Sequence, residues 1–197
     1  MVLPPESKTI MKKAKNPKNT NYQIDMSGKI EQTNKDTVLA YSNAEQYSVA
    51  IPKKVKRQVQ EFFRRQGLTR LYVYTLFSLG IFYLLKNIKG RHDIIIDLEY
   101  PGRDKLIKSL IKAFMESRNR DISYIKFSRI GNRPKAHYAA KNVFDKKVKP
   151  NYTIKLEDVN NALKKAGGRL RECFSTLVDA QSQPMTKSIP KKRNKVK

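Results

Sequence analysis

The sequence predicts an α/β fold: a mixed five-stranded sheet, made of a three-strand antiparallel meander and then β-α-β crossovers, with helices on both faces. Three short β-rich segments follow one another at hairpin distance, and two later β-rich segments are separated by amphipathic helical segments. Both ends of the chain lack hydrophobic periodicity. We therefore expect a folded domain over residues 22–150, a helical extension over 151–180, and disordered basic arms over 1–21 and 181–197.

The meander is predicted from segments rich in β-branched and aromatic residues. The first begins at residue 22, the second covers 37–43 and the third covers 46–51. Asn34 and Asp36 have the side chains that favour a turn between the first two segments. Strands joined by such short connections pair antiparallel.

Two helices are predicted between the third and fourth strands. The first has apolar residues at helical spacing among many basic residues, namely Val55, Val59, Phe62 and Phe63. The second is the uncharged run Leu71–Leu85, which is fifteen residues long. A helix that spans a bilayer needs about 20 apolar residues, and this run also contains three tyrosines, so a buried core helix is the favoured interpretation.

Strands and helices alternate in the second half of the chain. Residues 93–100 (DIIIDLEY) and 122–130 are β-rich, and residues 135–147, 156–166 and 169–180 are helical in pattern, with a Gly167–Gly168 break before the last helix. Between the two β-rich segments lies the clearest amphipathic helix, whose apolar face is formed by Leu106, Ile107, Leu110, Ile111, Phe114 and Met115.

The charge balance predicts a polyanionic partner. The chain has 42 Lys and Arg against 17 Asp and Glu, a formal net charge of +25; the predicted arms contribute +4 and +6, which leaves +15 on residues 22–180. Nucleic acid is the partner that we favour, with a membrane surface and an acidic protein as the alternatives. A single cysteine and two histidines exclude an intramolecular disulfide and a cysteine-rich zinc site.

The order of elements resembles the ribonuclease H-like superfamily, which includes ribonuclease H, Holliday-junction resolvases and Piwi-type nucleases, over about residues 22–148. In that superfamily an aspartate on the first strand and an acid on the adjacent fourth strand bind a divalent metal. The matching residues are Asp25 in IDMSG and, in DIIIDLEY, Asp97 and Glu99, which share one face by the two-residue period of a strand. The resemblance thus implies that these three acids bind Mg²⁺ or Mn²⁺ and act in catalysis.

The helix predicted over residues 135–147, which we call the late helix, offers a further candidate. In the superfamily the corresponding helix supplies another acid or a histidine. His137 is the matching residue, as a fourth ligand or proton carrier, and Asp145 follows two turns later; Glu31 and Glu61 are other sources of an acid. Two alternatives stay open at this point. Asp25 and Asp97 could instead form structural ion pairs with basic residues, and His137 could be a packed, hydrogen-bonded side chain.

Two groups of basic residues are predicted to position a nucleic-acid backbone without reading its sequence. They are Lys53, Lys54, Lys56, Arg57, Arg64 and Arg65 on the first helix, and Arg129, Arg133, Lys135 and Lys141 around the start of the late helix. The basic end PKKRNKVK is similar to a nuclear-import signal, as any basic arm is.

The leading hypothesis is a divalent-metal-dependent nuclease or resolvase that hydrolyses phosphodiester bonds in DNA or RNA. A non-catalytic protein that binds structured RNA or DNA, for example on the ribosome, is the second, and a membrane-associated protein that uses residues 71–85 is the third. The resemblance to resolvases leaves a homodimer open. We expect a cytoplasmic or nucleoid-associated protein, or a nuclear one in a eukaryote, because nothing in the sequence resembles a secretory signal.

Overall fold

A sheet with helices on both of its faces positions the candidate acids Asp25 and Asp97 and the candidate His137. The computed structural model describes residues 21–43, 45–90, 92–115, 124–131 and 134–182. The predictions for the two arms, apart from residues 21, 181 and 182, and those for Arg133 and for residues 122–123 lie outside the described part of the chain. The strands are β1 Tyr22–Ser27, β2 Thr37–Ser42, β3 Gln46–Ile51, β4 Ile94–Ile96, β5 Ile125–Phe127 and β6 Tyr152–Thr153. The helices are α1 Lys53–Arg65, α2 Leu71–Leu85, α3 Asp104–Met115, α4 Lys135–Phe144 and α5 Leu156–Ser182.

The strand order across the sheet is β5-β4-β1-β2-β3-β6. The first three strands pair antiparallel, as the meander predicts, whereas β4 pairs parallel to β1 and β5 pairs parallel to β4. The sheet is therefore mixed, as expected, but the predicted count of five strands is wrong. The sixth strand, β6, is only two residues long and pairs parallel to β3, and two residues are too few to show a hydrophobic period.

The two faces of the sheet have different coverings. On one face α1, α2, α3 and α5 enclose the main core with alternate residues of the strands, including Ile24, Leu39, Val49, Ile51, Ile94 and Ile96. On the other face α4 packs through alanines against Val38, Ala40 and Ala50. Asp25 pairs across the ladder with Ala40, so it belongs to the α4 face.

Helix α2 is a core helix, because twelve of its fifteen residues are buried. A Cβ atom on Gly80 would lie 2.8 Å from Leu39 Cδ1, so the absence of a side chain there allows α2 to approach β2 closely. Among the described residues, no helix combines the length and the apolar character needed to cross a membrane.

Several predicted boundaries are corrected by the structure. The strand predicted over 93–100 covers only Ile94–Ile96, because the Glu99 N–H donates to the Asp97 carbonyl at 2.9 Å and turns the chain. The helix predicted to reach residue 147 ends at Phe144, and Lys146 adopts a left-handed backbone with φ 60°. The predicted break in the C-terminal helices is confirmed at Gly167, whose φ of 30° and ψ of −110° are not helical.

The first amphipathic helix is only partly as predicted. Val55, Val59 and Phe63 are buried, whereas Phe62 is 52% exposed. Phe62 lies about 100° around the helix from Phe63, on the side of α1 that faces solvent.

Candidate metal centre

Two parallel strands place Asp25 and Asp97 side by side. Tyr22, Gln23 and Ile24 of β1 pair with Ile94, Ile95 and Ile96 of β4. The Asp97 N–H then donates to the Ile24 carbonyl at 2.9 Å, which continues the pairing one residue beyond β4. Asp97 therefore lies next to Asp25 at the end of the paired strands, on the face that α4 covers.

The third acid joins them through the turn that ends the strand. The Glu99 N–H is hydrogen-bonded to the carbonyl of Asp97, and this turn returns the Glu99 side chain to the same place. One carboxylate oxygen from each of Asp25, Asp97 and Glu99 lies within 4.8 Å of the other two. The predicted convergence of the three acids is thus confirmed, and we call them the acidic triad.

Backbone and side-chain contacts hold two members of the triad in place. Asp25 Oδ1 accepts the Met26 N–H at 2.6 Å, and Asp97 Oδ1 accepts the Ile130 N–H at 3.0 Å. Ile130 belongs to the loop between β5 and α4, so this bond connects β4 to the start of the late helix. The carboxylates are therefore oriented by the fold before any ligand arrives.

His137 contacts the triad without being part of it. Its Nδ1 lies 3.1 Å from Asp25 Oδ2, and its side chain is 35% exposed. It lies on α4 between two buried alanines, Ala136 one residue before it and Ala139 two residues after it. The prediction that the late helix brings His137 to the site is confirmed, and a role for it as a metal ligand stays a prediction.

Burial and repulsion between carboxylates raise the pKa of two members of the triad, Asp25 and Glu99. Burial raises the pKa of Asp25, the negative charge of Asp97 adds to the rise, and the Met26 N–H and His137 oppose it. Burial also raises the pKa of Glu99 to about 7, with smaller contributions from Asp97 and Asp25, while Lys29 acts in the opposite direction. Three carboxylates in one partly buried place repel one another, and a bound cation would remove that repulsion.

The donor set fits a hard divalent cation. Carboxylate oxygens are the ligands that Mg²⁺ and Mn²⁺ prefer, and the triad offers them from three residues. Among the described residues, no lysine or arginine forms an ion pair with Asp25 or Asp97. Within the described part of the chain, the alternative of a structural ion pair is therefore carried by the contact between His137 and Asp25.

The other acids considered from the sequence have different surroundings. Glu61 binds Arg64 and Arg65 at 2.8 and 2.9 Å, and these hydrogen bonds lower its pKa to about 2. Asp145 pairs with Lys141 at 3.0 Å near the other end of α4. Glu31 accepts a hydrogen bond from the Tyr100 hydroxyl at 3.2 Å, and its charge contributes to the raised pKa of Glu99. Of these acids, Glu31 is therefore the one whose charge acts on the triad.

The predicted phosphate contacts are mostly on the surface. The exposed ones are Lys53, Lys54, Arg57, Arg64, Arg65, Arg129, Lys135 and Lys141. The prediction for Lys56 is wrong, because its side chain is fully buried and its ammonium donates to Lys29 O, Gln32 O and Thr37 Oγ1 at 2.8–3.0 Å. Val55 and Val59 flank Lys56 on the buried side of α1, so its helical position already turned it away from solvent.

Some features of the site do not follow from sequence patterns. The Ile130 N–H that binds Asp97 is a backbone group, and the sequence has no signal for it. Tyr138 follows His137 directly and is 48% exposed. The sequence itself indicated Tyr138 as a candidate binding residue, because lysines lie three residues before it and three residues after it.

No family model, curated protein or solved structure matches this chain.

Proposed function

We propose that this protein is a divalent-metal-dependent nuclease with a ribonuclease H-like fold, which hydrolyses phosphodiester bonds in nucleic acid. The observation that carries the proposal is the acidic triad, with an oxygen from each of Asp25, Asp97 and Glu99 within 4.8 Å of the others. Metal ions that share such ligands lie about 3.5–4 Å apart in enzymes that displace phosphate esters, which is compatible with this spacing.

The arrangement of strands supports the fold part of the proposal. The superfamily resemblance requires that the first and fourth strands be neighbours, each with an acid, and β1 and β4 are neighbours here. It also requires a late helix next to these acids, and α4 carries His137 to Asp25. The chain departs from the superfamily pattern in one respect, since two helices, α1 and α2, and not one, precede β4, as the sequence indicates.

The residues of the chain have separable roles in this proposal. When bound, Mg²⁺ or Mn²⁺ would supply activation of a water molecule and stabilisation of the leaving oxygen. Asp25, Asp97 and Glu99 would hold the metal, and the Ile130 N–H keeps the Asp97 carboxylate oriented. His137 orients Asp25 and is exposed enough to exchange a proton with a substrate in the site.

Basic residues near the triad would position the substrate backbone. Arg129 precedes Ile130 in the loop that contacts Asp97, and Lys135 begins the helix that carries His137; both are exposed. Charged contacts of this kind bind phosphates irrespective of base sequence. Such a nuclease would select its substrate by shape, or by whether the nucleic acid is single- or double-stranded, and not by base sequence.

The test is a cleavage assay with Asp25→Asn, in Mg²⁺ and in Mn²⁺, on single-stranded, duplex and branched DNA and RNA. The variant keeps the size and hydrogen-bonding shape of the side chain and removes its charge. We expect it to bind nucleic acid as the wild type does and to cleave at least about 100-fold more slowly, since it lacks a ligand to the metal. Glu157→Gln is the matched control, because Glu157 is an exposed acid on α5, and it should cleave at the wild-type rate.

Two results would contradict the proposal. One is cleavage by Asp25→Asn at the wild-type rate. The other is tight, salt-dependent binding by the wild type with no cleavage of any of these substrates in either metal, which would favour a non-catalytic nucleic-acid-binding protein instead.

A further inference from the structure

The outward face of α4 carries an exposed aromatic ring between two lysines. Lys135, Tyr138 and Lys141 are three residues apart, so they follow one another along the same side of the helix, and all three are exposed. Tyr138 is 48% exposed, and among the described residues only Phe62 and Val148 are other large apolar side chains with comparable exposure. We call these three residues the α4 stripe.

The α4 stripe is held rigidly beside the acidic triad. Ala136, Ala139 and Ala140 are buried against the sheet, so their small side chains bring the helix close to the strands and fix which side faces solvent. The Tyr138 ring packs edge-on against His137, with 5.8 Å between the ring centres and 77° between the planes. Since His137 lies 3.1 Å from Asp25, the exposed ring is one residue removed from the triad.

The chemistry of the stripe matches a nucleic-acid strand whose bases are unpaired. An exposed aromatic ring stacks on the flat face of any base, and flanking ammonium groups pair with the phosphates on either side of that nucleotide. Bases inside a continuous duplex are stacked on one another, so an external ring cannot stack on them. Lys141 also pairs with Asp145, an exposed contact that a phosphate can replace.

We infer that the α4 stripe binds a single-stranded segment of nucleic acid, with an unpaired base stacked on Tyr138 and the adjacent phosphates paired with Lys135 and Lys141. The inference deepens the proposed function and rests on it for the direction of the strand towards the acidic triad. It makes the substrate a nucleic acid that is single-stranded, or locally unpaired, at the site of cleavage.

The test is equilibrium binding by fluorescence anisotropy, in EDTA so that no cleavage occurs. The probes are a short labelled single strand and a blunt duplex of the same sequence, each as DNA and as RNA. We expect Tyr138→Ala to weaken single-strand binding by roughly 5- to 150-fold, the range that corresponds to the loss of one stacked base. Duplex binding should change by less than about twofold, because it depends on phosphate contacts elsewhere.

Two variants separate stacking from other effects. Tyr138→Phe keeps the ring and should bind the single strand nearly as the wild type does. Phe62→Ala removes another exposed ring, on α1, and should leave single-strand binding unchanged. Equal losses for single strand and duplex in Tyr138→Ala, no loss in that variant, or the same loss in Phe62→Ala would each overturn the inference.

The outcome is distinguishable from failure of the proposed function, because the binding assay needs neither metal nor cleavage. A wild type that cleaves nucleic acid while Tyr138→Ala binds single strands normally would refute the stripe alone. If the wild type never cleaves nucleic acid, but Tyr138→Ala selectively loses single-strand binding, the nuclease proposal is refuted and the α4 stripe remains a binding site.

Discussion

At the scale of single residues, the buried position of Asp25 is the one that most requires a physical explanation. It is 7% exposed, it lies in a strand whose neighbours are apolar, and burial of a carboxylate without a charged partner is costly. The Met26 N–H and His137 offset part of that cost, whereas Asp97 increases it. In the proposed metal centre, a bound cation would stabilise all three carboxylates together.

In the proposed metal centre, Glu99 would make metal binding depend on pH. Its pKa is raised to about 7, mainly by burial, and a carboxyl group must lose its proton to act as a metal ligand. We therefore expect the affinity for Mn²⁺ to rise by about tenfold per pH unit up to about pH 7 and to level off above it. Isothermal titration calorimetry at several pH values measures this, and Glu99→Gln should bind more weakly and show a flatter pH profile.

The raised pKa of Glu99 also affects the stability of the metal-free protein. Because folded Glu99 keeps its proton up to about pH 7, whereas the ordinary pKa is 4.5, the folded state binds more protons between these values. This group therefore lowers the stability of the metal-free protein as the pH rises through that window. An Mn²⁺ affinity that is independent of pH between about 5 and 7 would show that Glu99 is not a ligand.

Side-chain periodicity predicted the acids of the site but not their supports. Asp97 and Glu99 share a face by the two-residue period, and the structure brings both to Asp25 although the regular strand ends at Ile96. The backbone N–H of Ile130 reaches Asp97 from a distant segment of the chain, and no local pattern encodes that contact. The helical position of Lys56 indicates its burial, but not the groups that its ammonium binds.

At the scale of elements, hydrogen bonds hold the connection between β1 and β2 against helix α1. The Lys56 ammonium binds two carbonyls of this connection, Lys29 O and Gln32 O, and also Thr37. Asp36, which the sequence assigned to turn formation, instead accepts the Lys53 N–H at 2.8 Å at the start of α1. These bonds hold the connection that contains Lys29, whose positive charge lowers the pKa of Glu99.

We expect Lys56→Met to destabilise the protein by about 2–4 kcal/mol, because it leaves the buried Thr37 hydroxyl and two partly buried carbonyl groups without their donor. Burial lowers the pKa of Lys56 to about 8, so part of this loss is offset by removing a charge that is costly to bury. Urea unfolding near neutral pH measures the change. Lys54→Met is the control, since Lys54 is exposed on the same helix, and it should change stability by less than about 0.5 kcal/mol. Equal stability of Lys56→Met and Lys54→Met would show that the buried ammonium does not hold this connection.

The predictions for elements succeeded where the periodic pattern was long and failed where it was short. The apolar face of α3 is buried at all six predicted positions, and the meander has the predicted strands. Strand β6 has only two residues and pairs with β3, and strand β4 has only three residues and pairs with β1 and β5. Pairing between distant segments, and not local propensity, sets the length of such strands.

At the scale of the whole molecule, charge and topology act together. The chain is strongly basic, and yet three of its acids meet at the end of the paired strands β1 and β4, beside a helix with exposed lysines. Positive charge would draw a polyanion to the protein, and the triad would be the place where metal and phosphate meet. Net charge alone would have predicted binding, but the strand order is needed to bring the acids together.

The most direct test of the central claim is calorimetric titration of the protein with Mn²⁺ at about pH 8, where Glu99 is ionised. We expect the wild type and the control Glu157→Gln to bind Mn²⁺ alike, and Asp97→Asn to bind it more than about tenfold more weakly. Circular dichroism would verify that Asp97→Asn is folded. A wild type that does not bind Mn²⁺, or an Asp97→Asn variant that binds it as tightly as the wild type, would contradict the assignment of the acidic triad as a metal centre.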